Sequence, residues 1–148
     1  MTPEGVRELP RSSDEISQLL VRYRRDLIDA DILVRDADSR SCSYFDAGLV
    51  LTKIAARACG LRVSGSHMNH YTQITLAKSV LGRDAHPHLS ILENARTNRN
   101  HATYDEADTI SATEVAELER TVRAFESLVC DWLAREHPDL LPPELPLG

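Results

Sequence analysis

The chain has 148 residues, a formal net charge of −6, and three widely spaced cysteines, Cys42, Cys59 and Cys130. A single domain of that size buries roughly 70% of its unfolded surface, so it needs no disulfide or metal staple. The acidic balance excludes a domain that grips nucleic acid through bulk charge, and an odd, dispersed set of cysteines fits neither a disulfide framework nor a clustered zinc site.

The first residues, Met1 to Arg7, lack the apolar run of a secretory signal, and no later run has the length of a membrane span. The expectation is a soluble cytoplasmic chain with reduced, mostly buried thiols and no membrane contact. Residues 1–11 are expected as a flexible arm. Ser12 with Glu15 forms a capping-box pattern ahead of Ile16, Leu19, Leu20, Tyr23 and Leu27, which predicts a first helix continuing to about Ala37. Asp38-Ser39-Arg40-Ser41 then reads as a turn. A second helix is predicted from about Tyr44 to Cys59, with Ala47, Leu51, Ile54, Ala55 and Ala58 on one face and Gly60 as its stop. Ser64-Gly65-Ser66 breaks the chain, and a third helix from about His67 carries Tyr71, Ile74, Ala77 and Leu81 before Gly82. Pro87 suits the first turn of a fourth helix holding Leu89, Leu92 and Ala95. A fifth opens with the capping box Ser111 and Glu114 and runs through Val115, Leu118, Val122, Phe125, Val129, Trp132 and Leu133. No stretch alternates apolar and polar residues as a strand would. The fold class is therefore all-α, an antiparallel bundle of four to five helices over residues 12–136. After Pro138, the proline-rich residues 137–148 are expected as an extended arm.

The chemistry concentrates in Arg96-Thr97-Asn98-Arg99-Asn100-His101-Ala102-Thr103-Tyr104-Asp105, a polar stripe continuing the fourth helix. Fifteen of the seventeen basic residues are arginine, whose fork suits carboxylate or phosphate. An arginine followed at once by asparagine, with a ring residue five positions beyond the arginine, resembles the motif of the HEPN superfamily. That motif is an arginine, four to six residues and a histidine, with a polar residue directly after the arginine. Arg99-Asn100 with Tyr104 in the histidine position is one placement; Arg96 with His101 is the other, with Thr97 after the arginine. The helical layout over residues 12–136 is also similar to small actinobacterial-type HEPN proteins.

The resemblance implies a homodimer that binds RNA, acting either as a metal-independent endoribonuclease of a toxin–antitoxin or defence system or as a non-catalytic interaction module. Cleavage by the RNA's own 2'-hydroxyl needs a base to take that proton and fixed positive charge for the phosphorane, roles suited to histidine and arginine. Residues five apart on a helix differ by about 140 degrees in direction, so two motifs must meet across a dimer axis to make a compact site. Arg96, Arg99, Asn100, His101 and Tyr104 are the candidate catalytic residues. Arg96, Arg99 and His67 are the candidate RNA contacts. A nucleotidyltransferase-like or antitoxin protein is the implied partner, and no cofactor is called for.

Plainer roles exist for the same residues. Arg96, Arg99 and Asn100 could tie the fourth helix to Asp29, Asp31 or Asp36, and His101 with Asp105 could be a local surface pair. His67, His70, His86 and His88 lack the spacing of a metal site. The absence of a Gly-x-Ser-x-Gly turn and of a phosphate-binding glycine loop excludes two common enzyme classes.

Overall fold

The structure, a computed structural model, describes residues 5–32, 36–63, 69–104 and 111–141, with the backbone alone at 69 and 96–104. In chain order the elements are β1 (Val6–Glu8), α1 (Ser13–Ala30), α2 (Ala37–Ala58), β2 (Leu61–Val63), α3 (Asn69–Leu81), α4 (His86–Tyr104) and α5 (Ala112–Glu136). Single 3-10 turns lie at Arg83–Ala85 and Pro138–Leu140. The fold class is the expected all-α bundle, with a small two-stranded ribbon added.

Both capping boxes form their first half. Ser12 Oγ accepts from the Glu15 amide and Ser111 Oγ from the Glu114 amide, each at 3.2 Å. At Glu15 the reciprocal half is absent, because its carboxylate reaches across to Arg57 instead. The first helix ends earlier than its apolar pattern predicts. Asp36 caps α2, its Oδ1 accepting from the Ser39 amide at 2.7 Å, so the expected turn at 38–41 is the first turn of α2. Arg40 Nε then donates to the Ala30 carbonyl at 2.9 Å, satisfying one of the carbonyls left open where α1 stops.

Helix α2 is the axis of the bundle. It is buried on nearly all sides, from Tyr44 and Phe45 through Leu51 and Ile54 to Ala58, and packs on α1, α3, α4 and α5. A helix apolar all round belongs in a core, so the single face predicted for it was too narrow. Tyr23, Tyr44, Phe45, Phe125, Leu89 and Leu92 fill the space around it. Polar ends of buried rings find partners: Tyr23 Oη donates to Glu126 at 2.5 Å and Tyr44 Oη to Asp31 at 2.6 Å.

Four further expectations differ from the structure. The strands, unforeseen, pair antiparallel with Val6 opposite Val63 and Glu8 opposite Leu61, and their apolar side packs on Ala56 and Leu76. That pairing draws residues 6–11 into the fold where a free arm was expected. Arg11 completes it by donating to the Ala58 carbonyl at 2.8 Å and pairing with Asp139 at 3.1 Å. The start of the proline-rich tail turns back rather than extending, burying Leu140. Finally, the thiols are not mostly buried, since Cys59 is exposed and Cys42 and Cys130 are intermediate.

One carboxyl carries a pH signature. Asp26 Oδ2 is buried without a hydrogen-bond partner among the described residues. Burial, and after it the Asp46 charge, push the Asp26 carboxyl above its ordinary 3.8 against the pull of Arg22. The folded chain therefore holds this proton more tightly than the unfolded one, and the stability so gained is lost as pH rises from 3.8 through the raised folded value. Asp26→Asn is expected to raise the melting temperature at pH 7 and leave it nearly unchanged at pH 3. Thermal melts at both pH values check this, and an equal shift at both would remove Asp26 as the cause.

Candidate functional site on helix α4

Pro87 stands in the first turn of α4, and the 3-10 turn after Gly82 (φ 86°) sets the direction in which the helix leaves α3. Leu89 and Leu92 are fully buried, while Ile91 and Ala95 pack at the edge of the core. Lys78 of α3 reaches Glu93 at 3.5 Å. The close approach of α4 to α2 depends on Gly48, where a Cβ would meet Leu92 Cδ2 at 2.7 Å.

Beyond Ala95 the backbone stays helical to Tyr104. Arg96, Arg99, Asn100, His101 and Tyr104 thus stand on one unbroken helix, with Arg96, Arg99 and Asn100 at i, i+3 and i+4. Their side chains, with all of His67 and Asp105, lie outside the described residues.

The surroundings of that segment are described in part. Of the three aspartates suggested as partners for its arginines, Asp31 is held by Arg123 at 2.7 and 2.9 Å and by Tyr44, while Asp36 is the cap of α2. Burial and then Asp31 push the Tyr44 phenol up to about 12, so Tyr44 is a structural donor and not a base near neutrality. A small pocket of about 70 Å³ lies between α2 and the middle of α4, where Asn94 and Ala95 face Glu114 and Glu117 of α5. The described charges in that pocket are both acidic.

The described histidines are occupied separately. His70 meets the Phe45 ring edge-on at 5.8 Å, His86 Nε2 donates to the Lys78 carbonyl at 3.4 Å, and His88 lies 6.1 Å from Phe125. His137 contacts Arg11 and packs against Trp132. Among the described residues no three His, Cys, Asp or Glu side chains gather where a metal could sit. Burial raises both shifted thiols, Cys130 to about 12 with help from Glu126 and Asp131, and Cys59 in spite of Arg11. Neither is poised as a thiolate nucleophile.

Four of the described cations converge at the other end of α2. There Arg7, Lys53, Arg57 and Arg62 line a cleft of about 390 Å³. Sequence reasoning missed this group because its members come from three segments with no shared spacing. The one available signal was chemical: Lys53 is one of only two lysines in the chain and interrupts the apolar run from Ala47 to Ala56.

No family model, curated protein or solved structure matches this chain. No helix among the described residues is long and apolar enough to cross a membrane.

Proposed function

We propose that this chain is a HEPN-like RNA-binding protein of the cytoplasm, acting as a homodimer through the arginine-rich end of α4. The observation that carries the reading is the continuity of α4 through Tyr104, well past Leu92, its last fully buried described residue. A helix that continues unbroken past Ala95, bearing Arg96, Arg99 and Asn100, would offer cations at helical spacing to a phosphate backbone. Ile28 and Ile32, 65% and 41% exposed, lie at the C-terminal end of α1, beside the start of α2. They give a second copy an apolar face at the end of the bundle towards which α4 runs.

The chemistry follows from the residue types. With Arg99-Asn100-Tyr104 as the working set, the phenol has a reference pKa of about 10 and is a poor base at neutral pH, so RNA is bound and cleaved slowly at most. With Arg96 and His101, the imidazole takes the 2'-hydroxyl proton and the guanidinium stabilises the phosphorane. The products are then a 2',3'-cyclic phosphate and a 5'-hydroxyl, without metal. A non-catalytic interaction module, one half of a toxin–antitoxin pair or the partner of a nucleotidyltransferase-like protein, is the second reading. Glu114 and Glu117, facing Asn94 and Ala95 just before the segment, favour it, because carboxylates repel RNA and attract a basic partner.

The test is a mixed RNA substrate incubated in EDTA with the wild type, Arg99→Ala and His101→Ala, read by gel retardation and by product ends. Retarded RNA, weakened by about tenfold in Arg99→Ala as one charge-assisted contact is lost, is the expected result. Cyclic-phosphate fragments that vanish in both variants would establish metal-independent cleavage by this segment, with His101 as its base. RNA that neither binds nor breaks would overturn the reading in favour of the interaction module.

A further inference from the structure

The ribbon of β1 and β2 contains a local conflict. Its register sets Arg7 directly opposite Arg62, and like charges facing each other across a strand pair destabilise it. Neither arginine forms an ion pair with a described residue, although the chain carries 23 carboxylates against 17 basic side chains. Both open onto the 390 Å³ cleft that the ribbon shares with α1, α2 and α3.

Lys53 of α2 and Gln73 of α3 stand in the same wall. Lys53 is half-buried, and burial together with Arg22 and Arg62 holds its ammonium below the usual range. The other cation in the lining, Arg57, is already committed. Its Nε pairs with Glu15 at 2.7 Å and its terminal nitrogens donate to the carbonyls of Leu9, Pro10 and Leu61. That pair uses the only carboxylate among the described residues of the lining. Asp46 lies in an adjoining depression, where Arg22 accompanies it. Lys53 and Gln73 border that depression too, but Arg7, Lys53 and Arg62 form no ion pair with a described residue, and all three line the one cleft.

Three unpaired cations at the mouth and wall of a cleft are costly in an empty protein and favourable once an anion enters. Two arginine forks and an ammonium match a multiply charged phosphate better than a single carboxylate. The volume lies within the ~300–1,000 Å³ typical of small-ligand sites, and the cleft is separated from Ser41, at the α4 end of α2, by about 18 Å of helix at 1.5 Å per residue. We propose that this cleft binds a diphosphate group, free or carried by a nucleotide, with Arg7 and Arg62 gripping its oxygens from the ribbon and Lys53 and Gln73 from the helices. The site is independent of the RNA reading of α4.

Calorimetric titration of the full chain with inorganic pyrophosphate, ADP and citrate tests this, beside Lys53→Gln, Arg62→Gln and, as a control on α5, Arg120→Gln. Saturable one-to-one binding of pyrophosphate or ADP is expected. The stronger of the two identifies whether the group is taken free or on a nucleotide. Lys53→Gln and Arg62→Gln should each weaken binding by about tenfold, the loss of one charge-assisted contact, and Arg120→Gln should leave it unchanged. Arg62→Gln should also raise the melting temperature of the unliganded protein, because it relieves the facing charges while leaving the exposed position folded. No saturable binding, equal weakening by Arg120→Gln, or citrate bound as tightly as pyrophosphate would overturn the proposal.

Discussion

Replacing Arg57 by methionine is expected to cost about 3 kcal/mol of stability, near the low end of the range for removing one partner of a buried ion pair. The Arg57 side chain is 6% exposed, and its fork ties three separate parts of the chain to one point. Glu15 comes from the first turn of α1, the Leu9 and Pro10 carbonyls from the segment after β1, and the Leu61 carbonyl from β2. Methionine fills much of the volume and supplies no donor. Glu15 is 35% exposed and can recover water, which keeps the expected loss away from the upper end of that range. For a chain of this length the loss corresponds to about 10 °C in melting temperature. Glu15→Gln is expected to cost far less, about 1 kcal/mol, because the three carbonyls keep their donors. Chemical denaturation of the two variants checks the order, and hydrogen exchange at Val6–Glu8 and Leu61–Val63 should accelerate in Arg57→Met alone. A loss below about 1 kcal/mol in Arg57→Met would mean that the ribbon is held by its apolar side and not by this residue.

The same residue shows where reading the sequence succeeds and where it stops. Ser12 and Ser111 declared two helix starts because a cap is a local contact, settled within three residues. The long apolar stripe of α5 declared its buried face for the same reason. Arg57 declared nothing. Its partners lie 42 to 48 residues earlier in the chain or, at Leu61, are backbone groups, which carry no sequence mark. The strands were hidden because three residues give no window for alternation. They exist because Val6, facing Ala56 and Leu76, has an apolar surface to cover. The end of α1 was misplaced because Ile32 prolongs its periodic pattern, whereas the boundary is set by Asp36 capping α2 and Arg40 reaching back to Ala30. The polar cluster on α4 was legible as a helical run from Arg96 to Tyr104. The cleft cations were not, since Arg7, Lys53 and Arg62 meet only after the ribbon has paired and docked.

A second large effect is expected where α4 crosses α2, and it takes the form of a reversal of sign. Gly48→Ala alone should destabilise by about 1 kcal/mol, the net of roughly 1 kcal/mol gained in helix propensity and about 2 kcal/mol lost to overpacking. The overpacking has an identified source, since the new methyl would lie 2.7 Å from Leu92 Cδ2 and 3.0 Å from Cδ1, and Leu92 is fully buried. Leu92→Ala alone should cost about 3 kcal/mol through lost burial and the cavity left behind. In the Leu92→Ala background the obstruction is gone, and Gly48→Ala should then stabilise by up to about 1 kcal/mol through propensity and partial filling of the cavity. The double variant is thus expected to be more stable than Leu92→Ala, with a coupling of about 2 kcal/mol between two residues in direct contact. Denaturant titration of the four proteins measures that coupling. Strict additivity would mean that α4 shifts away from α2 to admit the methyl. Such a shift would carry the segment from Arg96 to Tyr104 with it, one turn beyond Leu92, so Gly48→Ala would then weaken RNA binding without touching any residue of that segment.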